Sequence, residues 1–84
     1  MYTTSRYASR ETREFASSLA KKESSIYLAR GKKTISQIAE YARKKGEEQI
    51  FVIEEKNDRP LRMALIRVLE TGAWEWAGEK LLTA

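Results

Sequence analysis

The sequence predicts a small α/β fold, a two-layer sandwich with a βαβαβ core and a C-terminal β-hairpin extension. Three observations predict it. Short β-branched or apolar runs at 2–4, 26–29 and 50–53 alternate with two segments of helical period. Each helical segment opens on a capping residue. After Pro60 the pattern changes to a period of two, interrupted once by a polar turn.

The elements follow in order. Tyr2, Thr3 and Thr4 suit a pleated, partly buried strand. Ser9 is a good N-cap for a helix starting at Arg10, on which Thr12, Phe15, Ala16, Leu19 and Ala20 form one stripe. Lys21 and Lys22 complement its carbonyl end, and Ser24 and Ser25 break it. Ile26-Tyr27-Leu28-Ala29 reads as a buried strand, and Arg30-Gly31-Lys32-Lys33 as a loop. Thr34 and Gln37 match a capping box, opening a helix with Ile35, Ile38, Ala39 and Ala42 on one side and Gly46 as its left-handed stop.

Ile50 to Ile53 is the strongest strand and a central one, because four consecutive apolar residues imply cover on both faces. Residues 55–60 form a charged turn. Residues 61–69 admit two readings, a helix framed by Pro60 and Gly72, or a strand that turns at 70–73 and returns through Trp74-Glu75-Trp76. The hairpin fits the alternation better. No repeat or linker divides the chain, so residues 1–84 are read as one domain.

Composition narrows the function. The chain has 84 residues with no His and no Cys, which leaves no zinc site, no disulfide, no thiol nucleophile and no imidazole base. Glu47-Glu48 and Glu54-Glu55 are sequence neighbours whose side chains diverge on a strand, and they read as solvated surface. The four glycines are too dispersed for a phosphate-cradling loop. These features argue against an enzyme and imply no cofactor. The apolar run at 50–53 is far below the ~20 residues that span a bilayer, and no hydrophobic leader is visible, so a soluble cytoplasmic protein without a membrane partner is expected.

The net charge of +4 is unevenly spread. Residues 1–46 hold eleven Lys and Arg against four Glu, +7, and residues 47–84 hold five against eight acids, −3. A field concentrated on one half favours a polyanionic partner. The plain alternative is a solvated, Lys/Glu-rich surface of the kind thermophiles carry. If the first two strands are parallel neighbours, their C-terminal ends lie together, and Arg6, Arg10 and Arg13 join Arg30, Lys32 and Lys33 in one cationic rim. The two helix starts there would add amide donors for phosphate. Tyr7 is a single weak stacking signal. Trp74 and Trp76, spaced i and i+2 in an acidic segment, read as core or interface anchors.

Thr3-Thr4-Ser5-Arg6, then Ser9, Arg10, Thr12-Arg13 and Phe15, followed by Arg30-Gly31-Lys32-Lys33 at a helix entry, resemble the opening of the Brix domain of ribosome-biogenesis proteins, with the archaeal members closest. The resemblance covers residues 2–55 and points to the N-terminal half of that domain. It implies a fold similar to half a Brix domain and to the anticodon-binding domain of class II aminoacyl-tRNA synthetases. It also implies a non-catalytic role in pre-rRNA processing and subunit assembly, with rRNA or pre-rRNA and ribosome-assembly proteins as partners. Carried over position by position, the RNA-binding residues are Arg6, Arg10, Arg13, Arg30, Lys32 and Lys33, with Thr4 and Ser5 shaping the turn.

Two departures stand out. The family's Gly-Asn-Pro-like turn is Asn57-Asp58-Arg59-Pro60 here, and the chain ends where a second half would begin. A homodimer formed through the paired tryptophans would restore that half. The competing class is a protein-interaction module docking through the Trp74/Trp76 face.

Overall fold

The structure, a computed structural model, describes residues 1–82. Its elements are β1 (Tyr2–Thr4), α1 (Arg10–Lys22), α2 (Ile35–Lys44), β2 (Gln49–Lys56), β3 (Arg59–Val68) and β4 (Trp74–Leu81). The strands form one mixed sheet in the order β1-β2-β3-β4. β1 runs parallel to β2, and the other pairs are antiparallel. This is the α/β class with a C-terminal antiparallel extension that the sequence predicts.

Both helices start and stop where their local signals place them. Ser9 caps α1 by accepting from the Thr12 amide, and Thr34 and Gln37 complete a reciprocal capping box on α2. Gly46, with φ of 76°, takes the left-handed position after α2. Thr12, Ala16 and Ala20 form the buried stripe of α1, and Ile38, Ala39 and Ala42 that of α2.

The strand predicted at 26–29 does not form. It survives only as one parallel bridge between Tyr2 and Tyr27, held by Tyr2 N to Ile26 O and Leu28 N to Tyr2 O, each 2.8 Å. Side chains replace the next rungs. The Thr3 hydroxyl donates to Leu28 O at 2.7 Å, and the Arg30 guanidinium donates to Thr4 O at 2.9 Å. The carbonyls are therefore satisfied without a continued ladder.

Residues 61–68 are strand, as the alternation favoured. The charged stretch after β2 is tighter than expected, a two-residue hairpin in which Asn57 and Asp58 both have positive φ, 53° and 61°. Two consecutive left-handed residues match the right-handed strand twist, which is why β3 follows at once. A register shift between Glu54 and Glu55 lies beside this turn, and Pro60 sits opposite Glu55. A bulge there accommodates a residue that has no amide to donate.

Side-chain parity places the helices on opposite sheet faces. Met1, Ile50, Val52, Ala64, Ile66 and Val68 share one face and form a buried cluster with Ile38, Ala39 and Ala42 of α2. Tyr2, Thr4, Ile53 and Glu55 point to the other, where α1 lies. The first crossover steps outward from β1 to the bridge and the second steps back past β1 to β2. Right-handed connections in opposite directions put their helices on opposite sides, so the layers divide around the sheet rather than forming two. Among the described residues, no helix is long and apolar enough to cross a membrane.

Candidate nucleic-acid interface

The loops that carry the two basic clusters meet at the C-terminal ends of β1 and of the 26–28 segment. β1 ends by donating Ser5 N to Ile53 O at 3.0 Å, after which Arg6 and Tyr7 turn the chain towards α1. Tyr7 takes the turn with φ of 58°, uncommon for a residue with a Cβ, and is 76% exposed. Opposite it, Gly31, with φ of 52°, reverses the second loop. A groove of about 390 Å³ lies between them, lined by Ser5, Tyr7, Arg13, Gly31 and Lys32.

The predicted site residues divide into three groups. Thr4, Ser5 and Arg30 build the groove. Thr4 is buried, its hydroxyl donates to Ser5 O at 3.1 Å, and its carbonyl receives Arg30. Arg30 is only 8% exposed, and its guanidinium donates to Thr4 O at 2.9 Å and Lys33 O at 2.7 Å. Burial, and then the charge of Arg6, pull this guanidinium below its ordinary value. Arg30 remains a cation, and its fork geometry spans both carbonyls where an ammonium would reach one. It clamps the two loops and does not present itself to solvent as the sequence reading expected.

Arg6, Arg13 and Lys32 form the second group. All three are exposed and make no ion pair among the described residues. Arg6 lies 5.7 Å from the centre of the Tyr7 ring, and Arg13 and Lys32 line the groove. The third group is committed elsewhere. Arg10 bonds Glu14 at 2.9 Å, one turn along α1, and Lys33 Nζ donates to Ala29 O at 3.1 Å.

The start of α1 differs most from the sequence reading. Its cap amide, Ser9 N, already donates to Glu55 Oε1 at 2.7 Å, and the Ser9 hydroxyl donates to Asp58 O at 2.9 Å. Glu55 supplies from within the anion that a helix N-terminus attracts. The Ser9 amide first, with the Thr12 and Ser9 hydroxyls, holds the Glu55 carboxyl below its ordinary 4.5. Glu54, its neighbour, faces the other side and bonds Arg62 at 2.7 Å. The adjacent carboxylates thus diverge, and each has a structural partner.

A lowered folded value means stability that is present above the ordinary carboxylate range and lost as pH falls through the folded value. Glu55→Gln should therefore melt below wild type at neutral pH, with the gap closing on acidification below about 4.5. Circular-dichroism melts at neutral and acidic pH check this. A constant gap would mean that the carboxylate charge is not what stabilises the helix start.

No protein-family model matches the chain. A protein of Thermococcus kodakarensis named "Probable Brix domain-containing ribosomal biogenesis protein" is 37% identical over 79 residues, 93% of this chain and 38% of that protein. One of the same name from Pyrococcus horikoshii is 38% identical over 69 residues, 81% of this chain and 31% of its own. The chain thus spans about a third of the length of the curated relatives it matches.

Among solved structures, Mil, an archaeal Imp4-like protein, superposes with a TM-score of 0.80 at 29% identity, over 95% of this chain and 48% of its own. A "probable ribosomal biogenesis protein" from Aeropyrum pernix K1 gives 0.88 over 99% of this chain and 47% of its own, and at 21% identity it shows the fold alone. The resemblance carried by the two basic motifs holds along nearly the whole chain, and what this protein resembles is half of a Brix domain of the archaeal ribosome-biogenesis proteins.

Proposed function

We propose that this chain is a non-catalytic RNA-binding factor of ribosome biogenesis, a cytoplasmic half-Brix unit over residues 1–84 that holds rRNA or pre-rRNA by its phosphates. The observation that carries this reading is the groove edge, where Arg13 and Lys32 line the groove and Arg6 lies beside Tyr7, all three without carboxylate partners among the described residues, around walls fixed by Arg30. Cations left unpaired at a rigid concave edge suit a phosphate backbone, because little side-chain order has to be undone before they bind. The names of the relatives support the biological setting. Tyr7 adds a ring on which an unpaired base can stack.

A titration of the wild-type chain against a structured ribosomal RNA fragment tests the reading. Three neutralised phosphates predict a slope of log K against log salt of about −2 to −3, or roughly 15- to 60-fold weaker binding between about 50 and about 200 mM salt. No binding, or salt-insensitive binding, would refute it.

A second reading, docking on an assembly protein through Trp74 and Trp76, is favoured by one observation. Trp76 is 58% exposed and packs edge-on against Trp74 with ring centres 5.6 Å apart. Such an apolar contact would show little salt dependence.

A further inference from the structure

β4 is the edge of the sheet, with no strand outside it among the described residues. Its backbone alternation is set by two bonds to β3 at its ends. Ala73 O accepts from Leu69 N at 2.8 Å, and Leu82 N donates to Leu61 O at 2.7 Å. In an antiparallel ladder inward and outward residues alternate, and the irregularity opposite Leu65 and Ile66 resets the count at Ala77. Glu75, Gly78 and Lys80 therefore turn their amides and carbonyls towards β3. Trp74, Trp76, Glu79 and Leu81 turn theirs outward, where nothing pairs them among the described residues.

We propose that this edge pairs antiparallel with the same edge of a second copy of the chain, about a two-fold axis between Ala77 and Gly78. In that register each outward residue meets an outward residue, Trp74 opposite the second copy's Leu81 and Trp76 opposite its Glu79. Glu75, which also bonds Arg67 of its own β3 at 3.3 Å, then lies opposite the second copy's Lys80 at a position without backbone bonds, where opposed side chains approach most closely. Symmetry makes each of these pairs twice. The alternative symmetric registers centred on Glu75 or on Lys80 put like charges face to face, which disfavours them.

The side chains agree with the backbone. Trp76, at 58% exposure, and Leu81, at 65%, are the most exposed large apolar residues of the sheet, and both lie on the α2 face with Trp74. Pairing brings the second copy's Leu81 onto Trp74 and covers this stripe. Edge strands are commonly kept apart by charge or by a bulge. Here the bulge lies at the two-fold axis, and the charges are complementary across it.

Sedimentation equilibrium of the full chain between about 5 and about 200 µM tests the proposal, with far-UV circular dichroism establishing that each variant is folded. The wild type is expected to reach dimer mass in this range. Lys80→Glu sets Glu75 against a second carboxylate twice and should weaken association by about tenfold or more. The exchange Glu75→Lys with Lys80→Glu, made together with Arg67→Glu so that the new lysine keeps an opposite charge where Arg67 bonds Glu75 at 3.3 Å, restores opposite charges across the axis and should recover most of that loss. A wild type that stays monomeric, a folded Lys80→Glu variant that still dimerises normally, or an exchange that recovers nothing would each overturn the proposed pairing.

Discussion

Arg30→Met is expected to lower the stability of the domain by about 2–3 kcal/mol, the value of removing a charged donor from buried acceptors. For a chain of this size that is a fall in Tm of roughly 10 °C or more. Methionine keeps much of the aliphatic volume, so the loss isolates the guanidinium. With it gone, Thr4 O and Lys33 O lose the donors they now hold at 2.9 and 2.7 Å, in a place that is 8% exposed. The Thr4 carbonyl has no strand partner to fall back on, because the ladder stops at the Tyr2–Tyr27 bridge. Arg30→Lys should recover less than half of the loss, since one ammonium cannot reproduce a planar fork that spans two carbonyls. Thermal melts of the three proteins decide it. A methionine variant that melts with wild type would show that the two loops hold their positions without the clamp.

Arg30 also marks where sequence reading stops. In Arg30-Gly31-Lys32-Lys33 nothing separates the first cation from the other two, and all three read as a solvated rim. The distinction is made by a carbonyl 26 residues away, Thr4 O, and by a strand too short to use it. Glu55 is similar. Beside Glu54 it reads as surface charge, and its bond to the Ser9 amide joins positions 46 residues apart. No local pattern encodes that contact.

What was legible is what neighbouring residues settle among themselves. The capping box at Thr34 and Gln37, the Ser9 cap and the Gly46 stop each depend on groups within a few residues, and each is present as predicted. The hairpin of β3 and β4 was only partly legible, since Leu61, Leu65, Val68 and Leu69 also fit a helical stripe framed by Pro60 and Gly72, and the alternation across 61–76 favoured the strand. The strand at 26–29 failed for the opposite reason. Its apolar composition is right, but whether a strand continues depends on its partner's length, and β1 has three residues.

The proposed RNA-binding edge is tested by removing its three exposed cations. Replacing Arg6, Arg13 and Lys32 together by alanine should weaken binding to a structured ribosomal RNA fragment by about 10- to 100-fold at moderate salt and flatten the salt slope by about 2 to 3. All three are exposed and outside the Arg30 clamp, so the melting temperature should stay within a few degrees of wild type. The control is Lys21→Ala, Lys22→Ala and Lys44→Ala, at the far ends of α1 and α2, which removes the same charge from exposed sites away from the groove. If binding follows the groove, the control should cost less than about threefold. Equal losses in the two variants would mean that the RNA responds to net charge alone, and the groove would lose its claim to be the site. Tyr7→Ala then separates backbone from base. It should reduce affinity for single-stranded segments while leaving a duplex unaffected, because only an unpaired base offers a face to the ring.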